Sequence, residues 1–247
     1  MRFKQLPLHL CLAVAGLGNA YAVPGNAPEA VRNGLKQAIE THSQGQVSVS
    51  EINTSPIEGV YEIVTNNDVF YSDRAGRYAF IEGRLVDMQN RIDMTQERLV
   101  EVNRIPFDDL PLHLAIKEVR GNGSRTFAVF EDALCPICQV FTKFIDQLDD
   151  VTIYRFPFPV ISKDSAGPAR VAWCSADKAA TWHATMNGSR PQGDQTCDVS
   201  GLVDILKVGE KYEINSTPTV VLLNGKRLVG ATPPEQFIDE INKSVKQ

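Results

Sequence analysis

The N-terminal part of the chain changes from a helical to an alternating spacing of its apolar residues. Between residues 27 and 42 the apolar residues recur at helical spacing: Val31, Leu35, Ala38 and Ile39. This spacing predicts an amphipathic helix. After residue 46 the period falls to two, which predicts short strands at residues 47–52, 60–64, 69–71 and 78–81. Residues 23–89 are therefore expected to form one helix on a small antiparallel sheet, about sixty residues that are marginal as an independent monomer.

The next stretch, residues 90–120, is rich in charge. Its apolar positions keep a helical spacing that is broken at Pro106, because proline cannot continue a helix interior. We expect a linker helix and a solvated connector here, ended by Gly121.

The rest of the chain alternates strands and helices. The pattern predicts a strand at 126–130, a helix at 135–148, a strand at 151–156, a helical insertion between 165 and 212, a hairpin at 219–229 and a helix at 233–245. Asn224-Gly225 suits a two-residue type I′ turn in that hairpin. The order is thioredoxin-like, so we expect a mixed α+β / α/β chain with a catalytic domain over residues 121–247.

The first 22 residues predict export. Arg2 and Lys4 precede an apolar stretch that ends in Ala20-Tyr21-Ala22, the features of a secretory signal peptide. Without Arg2 and Lys4 the formal charge at pH 7 changes from −5 to −7. An acidic chain without a basic stripe argues against nucleic-acid binding.

Export limits what the cysteines can do. Cys11 lies in the predicted signal, and four cysteines remain, at 135, 138, 174 and 197. An even number in an oxidising compartment favours two disulfides over free thiols.

Cys135 and Cys138 form a C-x-x-C motif where a predicted strand gives way to a predicted helix. Free backbone N–H groups and the helix dipole at this point stabilise a thiolate at Cys135. Pro136 fits the first helical position. Cys138, one turn further in, is more shielded. We therefore predict an exposed Cys135 that attacks and a Cys138 that resolves.

Two other interpretations of the motif remain open. A zinc site needs four ligands, and the remaining cysteines and the histidines are not spaced to complete one, so no metal is expected. A purely structural bridge across so short a loop would remove little unfolded-state entropy.

Thr217-Pro218 directly precedes an apolar strand. In thioredoxin-like proteins a proline here is cis and lies against the active cysteines, and the preceding residue offers its backbone to an extended substrate. The alternative is an ordinary proline that opens a strand.

Several motifs together resemble one family. They are SPIEGVYE at 55–62, FEDALCPIC at 130–138, AWCSADK at 172–178, Cys197-Asp198 and STPTVVLLNG at 216–225. The chain resembles the periplasmic DsbC/DsbG family of protein disulfide isomerases, and DsbC more than DsbG. The resemblance implies a cystatin-like N-terminal dimerisation domain, a linker helix and a C-terminal thioredoxin-fold domain with a helical insertion.

The resemblance also implies partners. A homodimer would open a cleft to misfolded exported proteins, and the inner-membrane reductase DsbD would keep the dithiol reduced. No metal or organic cofactor is implied. Pro136 and Ile137 are expected to contact the substrate together with Thr217 and Pro218.

Two departures from the family pattern concern the dithiol. Pro136-Ile137 stands where DsbC proteins commonly carry Gly-Tyr, which leaves the redox poise open. Val129 stands where thioredoxins carry a buried aspartate, so proton transfer to Cys138 must come from elsewhere. Glu131 and Asp132 are candidates, but we expect both to be solvated loop acids because exposed carboxylates are the rule.

Cys174 and Cys197 are expected to form a structural disulfide. Neither has a partner two residues away, and they flank the helical insertion with Trp173, Trp182 and Met186 as expected core. The rival interpretation is a relay that shuttles electrons from Cys135.

Three functions compete at this point. The favoured one is a periplasmic thiol:disulfide interchange protein that isomerises incorrect disulfides, with chaperone activity. The others are a dithiol oxidase that donates disulfides and a holdase with little isomerase turnover.

Overall fold

The computed structural model describes residues 25–245, and the predicted signal peptide at 1–22 lies outside the described residues. The chain divides into two compact units with a boundary between Gly83 and Arg84, a few residues before the expected end at residue 89. No helix within residues 25–245 has the length and apolar character needed to cross a bilayer.

The N-terminal unit is one helix and a four-stranded antiparallel sheet. Its elements are α1 (Glu29–His42), β1 (Glu51–Thr54), β2 (Val60–Val64), β3 (Val69–Asp73) and β4 (Ala79–Phe80), with the strands in the order β1-β2-β3-β4. The predicted apolar stripe of α1 is buried and packs in one cluster with Ile52 and Ile63. Gly76 has φ +66° and lies so close to α1 that a Cβ atom would come within 3.0 Å of Ala38. The predicted helix and sheet are confirmed.

The second unit carries the strand and helix alternation. Its elements are β5 (Val86–Asp87), β6 (Ile92–Asp93), α2 (Met94–Val102), β7 (Ile116–Arg120), β8 (Arg125–Glu131), α3 (Pro136–Ile145), β9 (Val151–Pro157), α4 (Ala166–Cys174), α5 (Lys178–Met186), α6 (Ser200–Lys211), β10 (Thr219–Leu222), β11 (Arg227–Val229) and α7 (Pro234–Ser244). A five-stranded sheet has the order β11-β10-β8-β9-β7. Only β8 and β9 in it run parallel.

The central strand β8 separates two apolar clusters. Phe127 and Val129 pack with residues of α3 and α7, whereas Ala128 and Phe130 pack with residues of α4, α5 and α6. Successive side chains of a strand point to opposite faces, so β8 supplies both cores. Trp173, Trp182 and Met186 are buried in the second cluster, as predicted.

The predicted linker helix over residues 90–120 is wrong for its second half. Helix α2 ends at Val102, and Ile105 and Phe107 are buried in the core of the second unit. Residues Ile116–Arg120 form strand β7, which pairs with β9. The sequence IKEVR places Ile116, Glu118 and Arg120 on the less exposed face and Lys117 and Val119 on the exposed one. Because two of the three inward residues are charged, the apolar residues show no period of two that would predict a strand.

The hairpin between β10 and β11 is confirmed, but its turn differs from the prediction. The Gly225 N–H donates to the Leu222 carbonyl at 2.8 Å, and Leu222 N–H donates to the Lys226 carbonyl at 3.0 Å. Only Gly225 of the loop residues has a positive φ, at +82°. This is the three-residue loop with a bulge and not the type I′ turn, which needs two positive φ values. Gly225 is required because a Cβ atom there would lie 2.9 Å from the Ile105 carbonyl oxygen.

Candidate active site

The C-x-x-C motif lies between the end of β8 and the first turn of α3. Helix α3 begins at Pro136, and Cys135 is its N-cap residue, with its Sγ accepting a hydrogen bond from the Cys138 N–H at 3.2 Å. Cys135 and Cys138 are both free thiols. The predicted junction of strand and helix is confirmed, and one of the orphan N–H groups of the first helical turn, that of Cys138, donates to the Cys135 sulfur.

The Thr217-Pro218 peptide bond is cis, as predicted. The Cys135 thiol donates a hydrogen bond to the Thr217 carbonyl at 3.4 Å. The structure therefore brings Cys135, Cys138 and Thr217 together. Pro136 and Ile137 lie exposed at the start of α3, Ile137 with 51 % of its surface accessible.

One of the two thiols differs from the expectation in its exposure. Cys138 is fully buried, as expected, but Cys135 is only 3 % exposed, whereas the predicted nucleophile was accessible. The side chain of Cys135 belongs to the same apolar cluster as Phe130 and Phe158. A partner must fit closely around this turn to reach the sulfur atom.

Burial raises the pKa of the Cys138 thiol far above its ordinary value, and the neighbouring Cys135 thiol adds to the rise. The backbone of Asp132 opposes the rise. Desolvation disfavours the charged form of a thiol, so Cys138 remains protonated at neutral pH.

The expectation that Glu131 and Asp132 are solvated is wrong, because both are fully buried. Glu131 Oε1 accepts hydrogen bonds from Arg155 Nη1 at 3.0 Å and from Trp182 Nε1 at 2.7 Å. Arg155 is itself buried. A buried charge needs a partner of opposite charge and further hydrogen bonds, and these partners provide them.

Arg155 joins Glu131 to a wider group of charges. Its guanidinium also lies 2.7 Å from Glu118 and 3.3 Å from Asp146. Burial raises the pKa of Asp146, but hydrogen bonds from Arg120 and His183 and the charge of Arg155 outweigh it and hold the pKa below its usual range. Sequence reasoning missed Arg155, although a lone arginine in the apolar strand VTIYRFP was a usable signal.

Asp132 is buried without an ion pair to any residue in the described part of the chain. Its carboxylate accepts backbone hydrogen bonds from Leu134 at 2.8 Å, Val160 at 2.8 Å and Ile161 at 2.9 Å. Its carbonyl accepts the Cys135 N–H at 3.1 Å. Asp132 therefore ties the segment after β9 to the turn that carries the dithiol.

Cys174 and Cys197 form a disulfide with a Cα–Cα distance of 5.6 Å, as predicted. The bridge joins the end of α4 to the segment before α6, where Trp173 Nε1 also donates to the Asp198 carbonyl at 3.0 Å. Within residues 25–245, no three His, Cys, Asp or Glu side chains meet in a way that could hold a metal ion.

Two family matches cover most of the chain. Residues 112–244 match the thioredoxin-like domain, and residues 22–96 match the disulfide bond isomerase protein N-terminal domain. The second match spans the helix and sheet of the N-terminal unit.

Curated relatives match over nearly the whole length. A probable thiol:disulfide interchange protein DsbC of Bordetella parapertussis is 33% identical over 230 residues, which cover 89% of this chain and 81% of the relative. The thiol:disulfide interchange protein DsbC of Escherichia coli strain K12 is 25% identical over 216 residues, covering 83% of this chain and 87% of the relative. The crystal structure of a disulfide interchange protein from Neisseria gonorrhoeae is 36% identical with a TM-score of 0.53, and covers 56% of this chain and all of that one.

A thioredoxin-like domain with a free dithiol at a helix start defines the class of thiol–disulfide oxidoreductases, and this protein is one of them. Both of its units have a counterpart in one group of these enzymes. The chain belongs to the DsbC family.

Proposed function

We propose that this enzyme isomerises incorrect disulfides of exported proteins in the periplasm, with Cys135 as the nucleophile and Cys138 as the resolving thiol. The observation that carries the proposal is the unequal setting of the two thiols. Cys135 Sγ accepts a hydrogen bond from an N–H group in the first turn of α3, whereas the Cys138 thiol is buried and its pKa is raised. An N–H donor stabilises a thiolate, and burial without charge compensation disfavours one.

The reaction starts when the Cys135 thiolate attacks one sulfur of a wrong client disulfide. A mixed disulfide forms, and the other client sulfur leaves as a thiolate. That thiolate attacks a second client disulfide, and the thiolate released there attacks the mixed disulfide. Cys135 is regenerated as a thiolate, and the client has exchanged its pairing without net oxidation or reduction.

Cys138 releases the client when this exchange stalls. It loses its proton, attacks Cys135 Sγ and releases the client as a dithiol, which leaves a Cys135–Cys138 disulfide on the enzyme. Two electrons have then passed to the client, and the inner-membrane reductase DsbD would restore the dithiol. The raised pKa of Cys138 slows this release, because only the thiolate attacks. The delay gives the client time to rearrange.

The client chain would lie along the Thr217 backbone. The residue before the cis-proline has its carbonyl next to Cys135, and an extended segment can pair with such an open backbone. Pro136 and Ile137 would contact the client from the other side of Cys135.

The test is the refolding of a scrambled four-disulfide protein in a glutathione buffer. Cys135→Ser should abolish the recovery of native disulfides, and Cys138→Ser should accumulate a covalent enzyme–client adduct on non-reducing gels. Recovery at the wild-type rate with Cys135→Ser would exclude this mechanism.

A dithiol oxidase is the second candidate, and Pro136 directly after Cys135 favours it, since proline at this position also occurs in oxidant-type motifs. The oxidised enzyme mixed with a reduced client separates the two functions. An oxidase transfers one disulfide to the client per oxidised enzyme molecule, even when the cysteines it joins are the wrong ones. An isomerase instead increases the native pairing of clients that are already oxidised.

The N-terminal unit would act as the dimerisation domain of a homodimer. Its short strand β4 is at the edge of the sheet, and three large apolar side chains on or beside it are exposed: Tyr78 at 64 %, Phe80 at 66 % and Ile81 at 62 %. Exposed apolar side chains gathered at one place mark an interaction surface.

Sedimentation of the full-length protein at micromolar concentration tests this assembly. Phe80→Glu should shift the dimer towards a monomer, because a charge would be buried without a partner. Ile57→Glu is the matched control, since Ile57 is a 48 % exposed residue of the same unit away from β4. A wild-type monomer would contradict the proposal.

A further inference from the structure

Asp132 is a buried acidic residue that the exchange chemistry does not use. We propose that Asp132 is a positioning residue: it holds Val160 and Ile161 beside the Cys135 turn, where with Ile137 they form an apolar flank on which a client chain rests. We call the surface formed by Ile137, Val160 and Ile161 the client flank. The inference rests on the proposed function, because it takes the client to be a polypeptide.

The contacts of Asp132 link two segments that are distant in sequence. One carboxylate oxygen accepts the Leu134 N–H, within the turn that leads to Cys135, and the other accepts the N–H groups of Val160 and Ile161. The carbonyl of Glu131 adds a hydrogen bond from Phe158 N–H at 2.8 Å. The backbone of residues 158–161 is therefore fixed to the strand end that carries the dithiol.

The Asp132 carboxylate has backbone N–H groups as its hydrogen-bond donors. A buried carboxylate without hydrogen bonds is strongly destabilising, and Asp132 forms no ion pair among residues 25–245. The segment is anchored from the other side as well, because the ring of Phe158 packs on Gly209 of α6, where a Cβ atom would come within 2.3 Å. Residues 158–161 are thus held in one position.

This fixed segment presents apolar side chains to solvent. Val160 is 44 % and Ile161 53 % exposed, and Ile137 at the start of α3 is 51 % exposed. Apolar groups in water carry a cost that burial against a partner removes. A client must bring its sulfur atom to Cys135, which is almost buried, so the client chain has to cover the surface that adjoins the turn.

The client flank should therefore select clients with apolar residues next to their cysteines. The occupant we infer is an extended segment of an unfolded polypeptide, with its cysteine at Cys135 and its apolar neighbours against Val160 and Ile161.

The experiment compares two disulfide-linked peptides of the same length, one with leucine and phenylalanine beside the cysteines and one with serine and aspartate. The measured quantity is the ratio of kcat/KM for the apolar peptide to kcat/KM for the polar peptide. Ile161→Ser should lower this ratio about tenfold, through KM. Val203→Ser is the control, because Val203 on α6 is 48 % exposed and is in neither the dithiol site nor the client flank. An unchanged ratio in Ile161→Ser would overturn the proposal.

Asp132 is tested through the same ratio. Asp132→Asn can accept only with one oxygen, so its amide N–H₂ must face either Leu134 N–H or the two N–H groups of the segment. The ratio should fall in this variant, and adding Ile161→Ser should lower it no further, because both changes remove the same contact. Losses that multiply would show that Asp132 does not act through Ile161. The ratio cancels any common effect on the chemistry, so it separates this inference from a failure of the dithiol mechanism.

If Asp132→Asn does not fold, Val160→Ser takes its place in the cycle with Ile161→Ser. An apolar-peptide ratio that stays at the wild-type value in Val160→Ser as well would overturn the client flank as a binding surface.

Discussion

The guanidinium of Arg155 lies 3.0 Å from the carboxylate of Glu131, and the two side chains are 1% and 0% exposed. Glu131 ends the strand that leads into the dithiol turn, and Arg155 comes from the neighbouring parallel strand, two residues before its end. The pKa of Arg155 is raised, since the charges of Glu131 and Glu118 outweigh the effect of burial. Arg155 therefore keeps its positive charge inside the catalytic unit.

Breaking this pair should strongly destabilise the protein. Arg155→Met leaves the carboxylate of Glu131 buried without its counter-charge, and we expect the free energy of unfolding to fall by about 3–5 kcal/mol. Guanidinium unfolding followed by circular dichroism measures the loss. Adding Glu131→Gln should recover part of it, because the uncompensated charge is then gone. Arg190→Met at an exposed position is the control, with an expected change within about 0.5 kcal/mol.

The lowered pKa of Asp146 predicts an acid-dependent stability. A carboxyl whose pKa is lower in the folded than in the unfolded chain stabilises the fold above its unfolded value of about 3.9, and this stability is lost as the pH falls through the folded pKa. Asp146→Asn should therefore be less stable than the wild type at neutral pH, and the difference should shrink below about pH 4. Urea midpoints across the acid range check it. Asp149→Asn, an exposed neighbour, should show no such convergence.

The disulfide between Cys174 and Cys197 is expected to be structural. It closes a loop with a sequence separation of 23, so the chain-entropy relation gives a contribution of about 3 kcal/mol. The double variant Cys174→Ala/Cys197→Ala should lose that amount and keep its isomerase activity below the new melting temperature. Mass mapping after graded reduction is the second measurement. A bridge that opens at the same potential as Cys135–Cys138 would favour the relay instead.

We expect the Cys138 thiol of the folded enzyme not to react with alkylating reagents. Its side chain is fully buried and its pKa is raised by that burial, and alkylating reagents attack only the thiolate. In Cys135→Ser, iodoacetamide at mildly alkaline pH should leave the remaining thiol unmodified until denaturant is added. Mass spectrometry of the quenched samples reads this directly. Rapid labelling of Cys138 in the native variant would contradict the assignment of roles.

Local patterns were sufficient to predict the elements around the dithiol. The strand before Cys135 and the helix that starts at Pro136 follow from signals within a few residues of each other. The cis-proline at 218 was instead inferred from its position after a C-x-x-C motif in a thioredoxin-like order. The signal at Pro136 is a backbone preference, because the first helical position needs no N–H. The tertiary amide at Pro218 permits a cis bond but does not by itself favour one. The preference at Pro136 acts before any tertiary contact forms.

The parts that could not be predicted depend on contacts between distant residues. Glu131 and Asp132 were expected to be exposed because carboxylates usually are. Their burial is decided by Arg155 and by the backbone of Val160, which lie more than twenty residues further along the chain. The same holds for Glu118 of β7, which is explained by its ion pair with Arg155 and not by solvent.

The pairing of β7 with β9 determines where the catalytic unit can be cut. A fragment that starts at Gly121 would lack β7 and would leave the hydrogen-bonding groups along one side of β9 open. Unpaired strands of this kind recruit other chains, and native proteins protect such edges with charged residues. The exposed Lys117 provides such a charge on β7. The shorter fragment would therefore tend to self-associate and precipitate, and the part of the chain once expected to be a mere connector is what keeps the catalytic sheet from aggregating.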